Sequence, residues 1–169
     1  MSKHKISILS IISDESLNKI SAWAEKNPGI TNLVDFLSLE FQIDCTRDRA
    51  IIQAFDRDSS NIHGKTDALS LPVNEYECAL ILASCQMASI PVTISAGRTN
   101  LTGSATPKGG LILSIEKMTT PPIKVDMQSH TLTTPVGIYL EAMRNEALKQ
   151  SHNTLHYPVD PTSREDAMV

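Results

Sequence analysis

The chain has 169 residues, which suits one domain or two small ones, and its 15 Lys+Arg against 19 Asp+Glu leave a formal charge of −4. A mildly acidic chain with a pI near 5.7 lacks the basic stripe that nucleic acid or an anionic lipid surface requires. Hydrophobic residues at 41% and charged residues at 20% exclude disorder as the main state, and aromatics at 4% leave the core to Leu, Ile, Val, Ala and Met.

The N-terminal third reads as helices. Asp14 is suited to cap a helix over 15–26, with Leu17, Ile20, Trp23 and Ala24 on one stripe and Asn27-Pro28-Gly29 as the stop. Thr31 is suited to cap a second, carrying Leu33, Val34, Leu37 and Leu39. A third is expected over 46–55, ended by Asp56-Arg57-Asp58-Ser59-Ser60, and 58–65 is a polar loop at a candidate domain boundary.

The texture changes after Thr66. Residues 68–73 read as a strand, Asn74 as the cap of an apolar helix through Ala88, and 90–94 as a second strand. Strand, helix and strand within about 30 residues make a βαβ unit. Three more strands are expected at 111–115, 123–127 and 131–136, the last two joined by a tight reversal at Gln128-Ser129-His130. An amphipathic helix over 139–149 and an extended, proline-bearing end follow.

Cys45, Cys78 and Cys85 are too few and too odd in number for a disulfide framework, and their spacing suits no metal site. They read as buried small hydrophobes. The apolar run 6–12 is interrupted by Ser7 and Ser10, so no leader is expected, and no run approaches the ~20 residues of a membrane span. A cytoplasmic setting is the expectation. His63, His130, His152 and His156 sit in no recognisable acid–base pair and read as surface histidines, so no catalytic residue is assigned.

Between the second and third strands, 95–110 has neither helical nor strand period. It holds Gly97, Gly103, Gly109 and Gly110, with Ser95, Thr99, Thr102, Ser104 and Thr106 between them. A glycine- and hydroxyl-rich loop at the carboxyl end of a strand is where open α/β sheets bind ligands. Glycine lets backbone N–H groups converge on an anion. Neither G-x-G-x-x-G nor a P-loop pattern is present. Taken alone, the loop fits either a diphosphate cradle or a turn-rich connection between strands.

The order of segments adds more. The run Ile90-Pro91-Val92-Thr93-Ile94-Ser95-Ala96-Gly97-Arg98-Thr99-Asn100-Leu101-Thr102-Gly103, then Gly109-Gly110-Leu111-Ile112-Leu113-Ser114-Ile115-Glu116-Lys117-Met118, resembles the FAD-binding domain of the p-cresol methylhydroxylase / vanillyl-alcohol oxidase (PCMH-type) superfamily. Within it, the FAD-linked oxidases of the glycolate oxidase and D-lactate dehydrogenase type are most similar. Phe55-Asp56-Arg57-Asp58-Ser59-Ser60 and Tyr157-Pro158-Val159-Asp160-Pro161-Thr162-Ser163 stand where that family has an aromatic-x-x-D-[AS]-S segment and a proline-rich motif.

The resemblance implies an α+β, PCMH-type FAD-binding fold. A helical segment at 1–65 would precede a first FAD-binding subdomain at 66–104 and an incomplete second one at 105–169. It assigns the FAD pyrophosphate to Ser95, Ala96, Gly97, Arg98, Thr99, Asn100, Leu101 and Gly103, mostly through main-chain N–H groups. Pro158, Asp160, Thr162 and Ser163 would lie toward the flavin, although as residues alone they also make an ordinary stiffened turn.

The chain departs from the pattern at Ala96-Gly97-Arg98, where the family has consecutive glycines, and at Val136, where it has proline. A bulky residue at positive φ is unfavourable, and a phosphate salt bridge from Arg98 would offset this. Some relatives carry a flavin-linking His at this position, so FAD is expected to be non-covalent. The implied function is the FAD-binding part of an oxidoreductase that transfers hydride from a 2-hydroxy acid to FAD. An ether-lipid synthase or sugar-lactone oxidase branch stays open, as does a non-enzymatic remnant or a module needing a partner chain. The substrate domain is expected outside this chain, lost from a split or truncated gene or carried on a separately encoded C-terminal polypeptide, and this chain alone is expected to bind FAD weakly or not at all.

Overall fold

The computed structural model describes residues 11–163 and 165–169. Lys3, Lys5, most of the 6–12 run and Arg164 lie outside the described residues.

Helix α1 (Asp14–Ala24) is capped by Ser13, whose hydroxyl accepts from the Ser16 amide, one residue before the expected Asp14. Helix α2 (Ile30–Phe41) begins after Gly29 without a side-chain cap, so Thr31 is inside the helix and not its cap. Leu33, Val34 and Leu37 face the core, whereas Leu39 points away and is 81% exposed. Trp23 of α1 stacks on Phe36 of α2, ring centres 4.6 Å apart and 8° from parallel. The expected third helix is shorter. Thr46 belongs to strand β1 (Cys45–Thr46), and Asp48 caps a single turn, α3 (Arg49–Ile52), that tightens into a 3₁₀ turn at Gln53–Phe55. The stretch 1–65 therefore contributes a strand as well as helices.

The main sheet runs in the order β1–β2–β4–β3, with β2 at Ala68–Ser70, β3 at Val92–Ser95 and β4 at Leu111–Ser114. Strands β2, β4 and β3 are parallel, and β1 closes the β2 edge in antiparallel register. Helix α4 (Glu75–Met87) links β2 to β3, with the Asn74 side chain accepting from the Glu77 amide as its cap. The connection leaves a gap that β4 fills. The sheet therefore runs across the position expected to separate 66–104 from 105–169.

Both faces of the central strand are covered, which is why β4 is buried at every position and opens with three consecutive apolar residues, Leu111, Ile112 and Leu113, instead of alternating. Leu111 and Leu113 pack with Ala68, α4, α1 and α2 on one face. Ile112 and its register partner Leu69 pack with Ile52 and Phe55 on the other. The N-terminal helices thus share one core with the sheet.

Beyond β4 the chain builds a hairpin, β5 (Lys124–Asp126) and β6 (Thr131–Thr133), covered by helix α5 (Leu140–Gln150). The Asp126 carboxylate accepts the amides of Gln128 and Ser129, and His130 takes a positive φ of 53°, closing the turn. Gln150 ties the helix end to the β5 edge through the Val125 amide and the Ile123 carbonyl. The last residues return along the start of α5. Leu140 donates its amide to the Ala167 carbonyl at 2.8 Å, and Val169 donates to Ile138 at 3.1 Å. Among the described residues no helix is long and apolar enough to cross a membrane.

Candidate functional site

Parallel pairing puts the carboxyl ends of β3 and β4 on one edge, with Ser95 opposite Ser114. Both serines are buried, and neither hydroxyl has a partner among the described residues. From this edge the 95–103 loop rises and turns against the returning C-terminal residues. Between them lies a cleft of about 310 Å³. It is lined by Ser59 and by Ala96, Gly97, Arg98 and Thr99 of the loop, together with Glu116, Tyr139, Asp166 and Met168.

The loop amides are the notable donors. Those of Gly97, Arg98, Thr99 and Asn100 make no hydrogen bond to any described residue. Buried or semi-buried N–H groups are normally paired, so a row of free donors beside a cleft is a ready anion site. Gly97 is required by space: a Cβ there would overlap the Asp166 carbonyl oxygen and come within 3.2 Å of the Met168 nitrogen.

Arg98 adopts the positive φ that its place in the loop suggested, at 55°. Its guanidinium does not point to an open anion position. It pairs with Glu116 at 3.0 Å and lies over the Phe55 ring, 4.4 Å from the centroid. The compensation expected from a phosphate is supplied by a carboxylate of the chain and by an aromatic face.

The loop is held from beneath by the 58–60 turn. Asp58, only 5% exposed, accepts from the Ser60 amide at 2.9 Å, the Ser60 hydroxyl, Asn100 Nδ2 at 2.6 Å and the Ala105 amide at 3.2 Å. The Ser60 hydroxyl is the strongest of the influences that bring its pKa down to about 2. Ser59 donates both its amide and its hydroxyl to the Arg98 carbonyl at 3.0 Å. Nearby, burial raises the Asp56 pKa, but hydrogen bonds from Arg49 and Thr66 outweigh it and leave the carboxyl below its usual value.

The sequence-derived residues are thus distributed over several places. Ala96, Gly97, Arg98 and Thr99 meet at the cleft. Ser95 is buried at the sheet edge, and Asn100 spends its side-chain amide on Asp58 and Ser104. Leu101 is 76% exposed. Gly103, at φ 76°, faces a separate hollow beside Ile62 and Lys65. Asp160, Thr162 and Ser163 line a polar hollow of the tail, with Asp160 paired to Arg144 at 2.7 Å, and Pro158 lies in neither place. Glu116, Tyr139, Asp166 and Met168 were not legible as cleft residues, because each arrives from a distant part of the chain. Asp58 and Ser60 had a signal, the D-[AS]-S segment.

Free backbone amides are the donors an anion such as a diphosphate would use, and the same cleft carries the Glu116 and Asp166 residues. The FAD binding domain family matches residues 66–169. D-2-hydroxyglutarate dehydrogenase from Xanthomonas citri pv. viticola is 35% identical over 98 residues, covering 57% of this chain and 20% of that protein. D-lactate dehydrogenase from Anaerostipes hadrus is 32% identical over 114 residues, covering 66% of this chain and 23% of the relative. The chain thus spans about a fifth of the length of these curated relatives. An alkyldihydroxyacetonephosphate synthase structure shares the fold, with a TM-score of 0.69 and 18% identity over 82% of this chain and 30% of its own. The sheet order, the amide-lined loop at its carboxyl edge and the match over 66–169 agree, and this chain belongs to the FAD binding domain family, with the PCMH-type fold of flavin oxidoreductases.

Proposed function

We propose that the chain forms the diphosphate-binding part of a flavin oxidoreductase acting on a 2-hydroxy acid of the glycolate or D-lactate type. FAD is held without a covalent bond, by the amides of Gly97, Arg98, Thr99 and Asn100. The observation that carries this reading is the unpaired amides of Gly97, Arg98 and Thr99, which line the 310 Å³ cleft, followed by that of Asn100. The substrate class is supported by the relatives named D-2-hydroxyglutarate dehydrogenase and D-lactate dehydrogenase, both acting on 2-hydroxy acids by name.

Bound FAD would supply the hydride acceptor for oxidation at the hydroxyl-bearing carbon. This chain's own share is to bind and orient it. Ala96 precedes the amide row, Ser59 fixes the Arg98 carbonyl, and Tyr139 and Met168 line the cleft beside it. The 169 residues span about a fifth of these relatives, and none of the 169 is assigned to orienting the hydroxy acid.

The test is titration of FAD into the purified chain, followed by flavin fluorescence, with and without ADP as competitor. Saturable, ADP-sensitive binding and release of all flavin into the supernatant on acid precipitation are expected. Absence of binding at any FAD concentration, or flavin retained in the acid pellet, overturns the reading. Bleaching of the flavin by D-lactate or D-2-hydroxyglutarate is not expected of these 169 residues, which span about a fifth of the relatives.

A further inference from the structure

We propose that Asp58 is the positioning residue of this cradle: its carboxylate holds loop 96–105 in the shape that turns the 97–100 amides toward the cleft. The inference rests on the cradle reading above and goes one step below it, to what makes the loop's shape.

Asp58 is not among the cleft-lining residues, so it acts through the loop and not on a ligand. An ionised carboxylate has two oxygens and about four acceptor positions. All are filled: one oxygen takes the Ser60 amide and hydroxyl, the other takes Asn100 Nδ2 and the Ala105 amide. Ser59, the next residue, holds the Arg98 carbonyl through two donors. One short turn therefore grips the loop at Arg98, Asn100 and Ala105. The grip matters because Arg98 sits at φ 55°, a conformation an isolated non-glycine residue leaves readily.

The chemistry also explains why an acid stands here. A negative charge close to a diphosphate site opposes the ligand, so a neutral acceptor would be better if it served. Asparagine does not. Its single oxygen satisfies Ser60, and its amide then faces Asn100 Nδ2 and the Ala105 amide, donor against donor. Ala105 is itself 7% exposed, so its amide cannot turn to solvent. Charge, not merely polarity, is the requirement.

The experiment compares the wild-type chain with D58N, N100A and the exchange D58N/N100D. The readouts are amide-resolved hydrogen exchange and the FAD dissociation constant, alongside the melting temperature. For D58N, loss of Ala105 protection, moved resonances for 97–105 and at least tenfold weaker FAD binding are expected, with Leu111–Ser114 unchanged. D58N/N100D restores the donor–acceptor match at one link and recovers part of the affinity. N100A, which removes one link at a half-exposed position, loosens the same loop to a lesser degree and serves where D58N does not fold. Unchanged Ala105 protection in D58N and N100A overturns the proposal. So does a fall in melting temperature with FAD affinity intact. If the wild type binds no FAD while D58N still frees the loop, the cofactor reading fails and the anchoring role of Asp58 stands.

Discussion

The guanidinium of Arg98 lies 3.0 Å from the Glu116 carboxylate and over the Phe55 ring, and Arg98 and Glu116 both line the cleft. The pair is about one-third exposed, so its net worth is modest, and its consequence is for the ligand more than for stability. It neutralises the one cation of the loop and leaves Asp166 as a further acidic residue lining the cleft.

Replacing Glu116 by Gln removes a negative charge from the cleft and frees Arg98 for an incoming diphosphate. FAD affinity is expected to rise by about three- to tenfold, since ~1.4 kcal/mol is a factor of ten. The gain should shrink at high salt, as screening weakens charge–charge terms. Weaker binding in the Glu116→Gln variant would show that Arg98 must be held by Glu116 to keep the loop in shape.

Gly97→Ala places a methyl group against the Asp166 carbonyl. The residues 166–168 must move away, because backbone cannot yield as a flexible side chain does. Chemical denaturation is expected to show a loss of about 1–3 kcal/mol. Limited proteolysis should cut the C-terminal residues sooner, and FAD binding should weaken in step.

Asp58 titrates at about 2 in the folded chain, held down first by the Ser60 hydroxyl. An unfolded aspartate titrates near ~3.9. A depressed folded pKa gives stability that is fully present above the unfolded value and lost as pH falls toward the folded one. Unfolding free energy should therefore drop between about pH 4 and pH 2, with Asp56 adding in the same direction. Denaturation of Asp58→Asn across that window should give a flatter profile. Parallel profiles for the two proteins would contradict the assignment.

Burial pushes the thiols of Cys45 and Cys85 up to about 12, and raises that of Cys78 as well. Thiolate is the reactive form, so all three should react slowly with a thiol reagent at pH 8. Denaturant should release three rapid equivalents. Fast labelling of the native chain would contradict the burial reading.

What local sequence determined here is what local forces control. Asn74 capping an apolar helix, the glycine- and hydroxyl-rich stretch after Ile94, and Asp126 ahead of a tight reversal each follow from residues a few positions apart. Their physics is backbone preference and periodic burial, which do not depend on the rest of the chain. The strand ends were shorter than their apolar runs, because pairing stops where the partner strand stops.

The tertiary structure alone decided the rest. It placed β4 between β2 and β3, gave Arg98 to Glu116, gathered donors from 60, 100 and 105 onto Asp58, and laid the Asp166 carbonyl against Gly97. Each of these joins residues brought together only when the core closes. Which strand fills the gap, and which carboxylate meets which donor, depends on the surfaces still unburied at that point, a property of the whole chain and not of any segment in it.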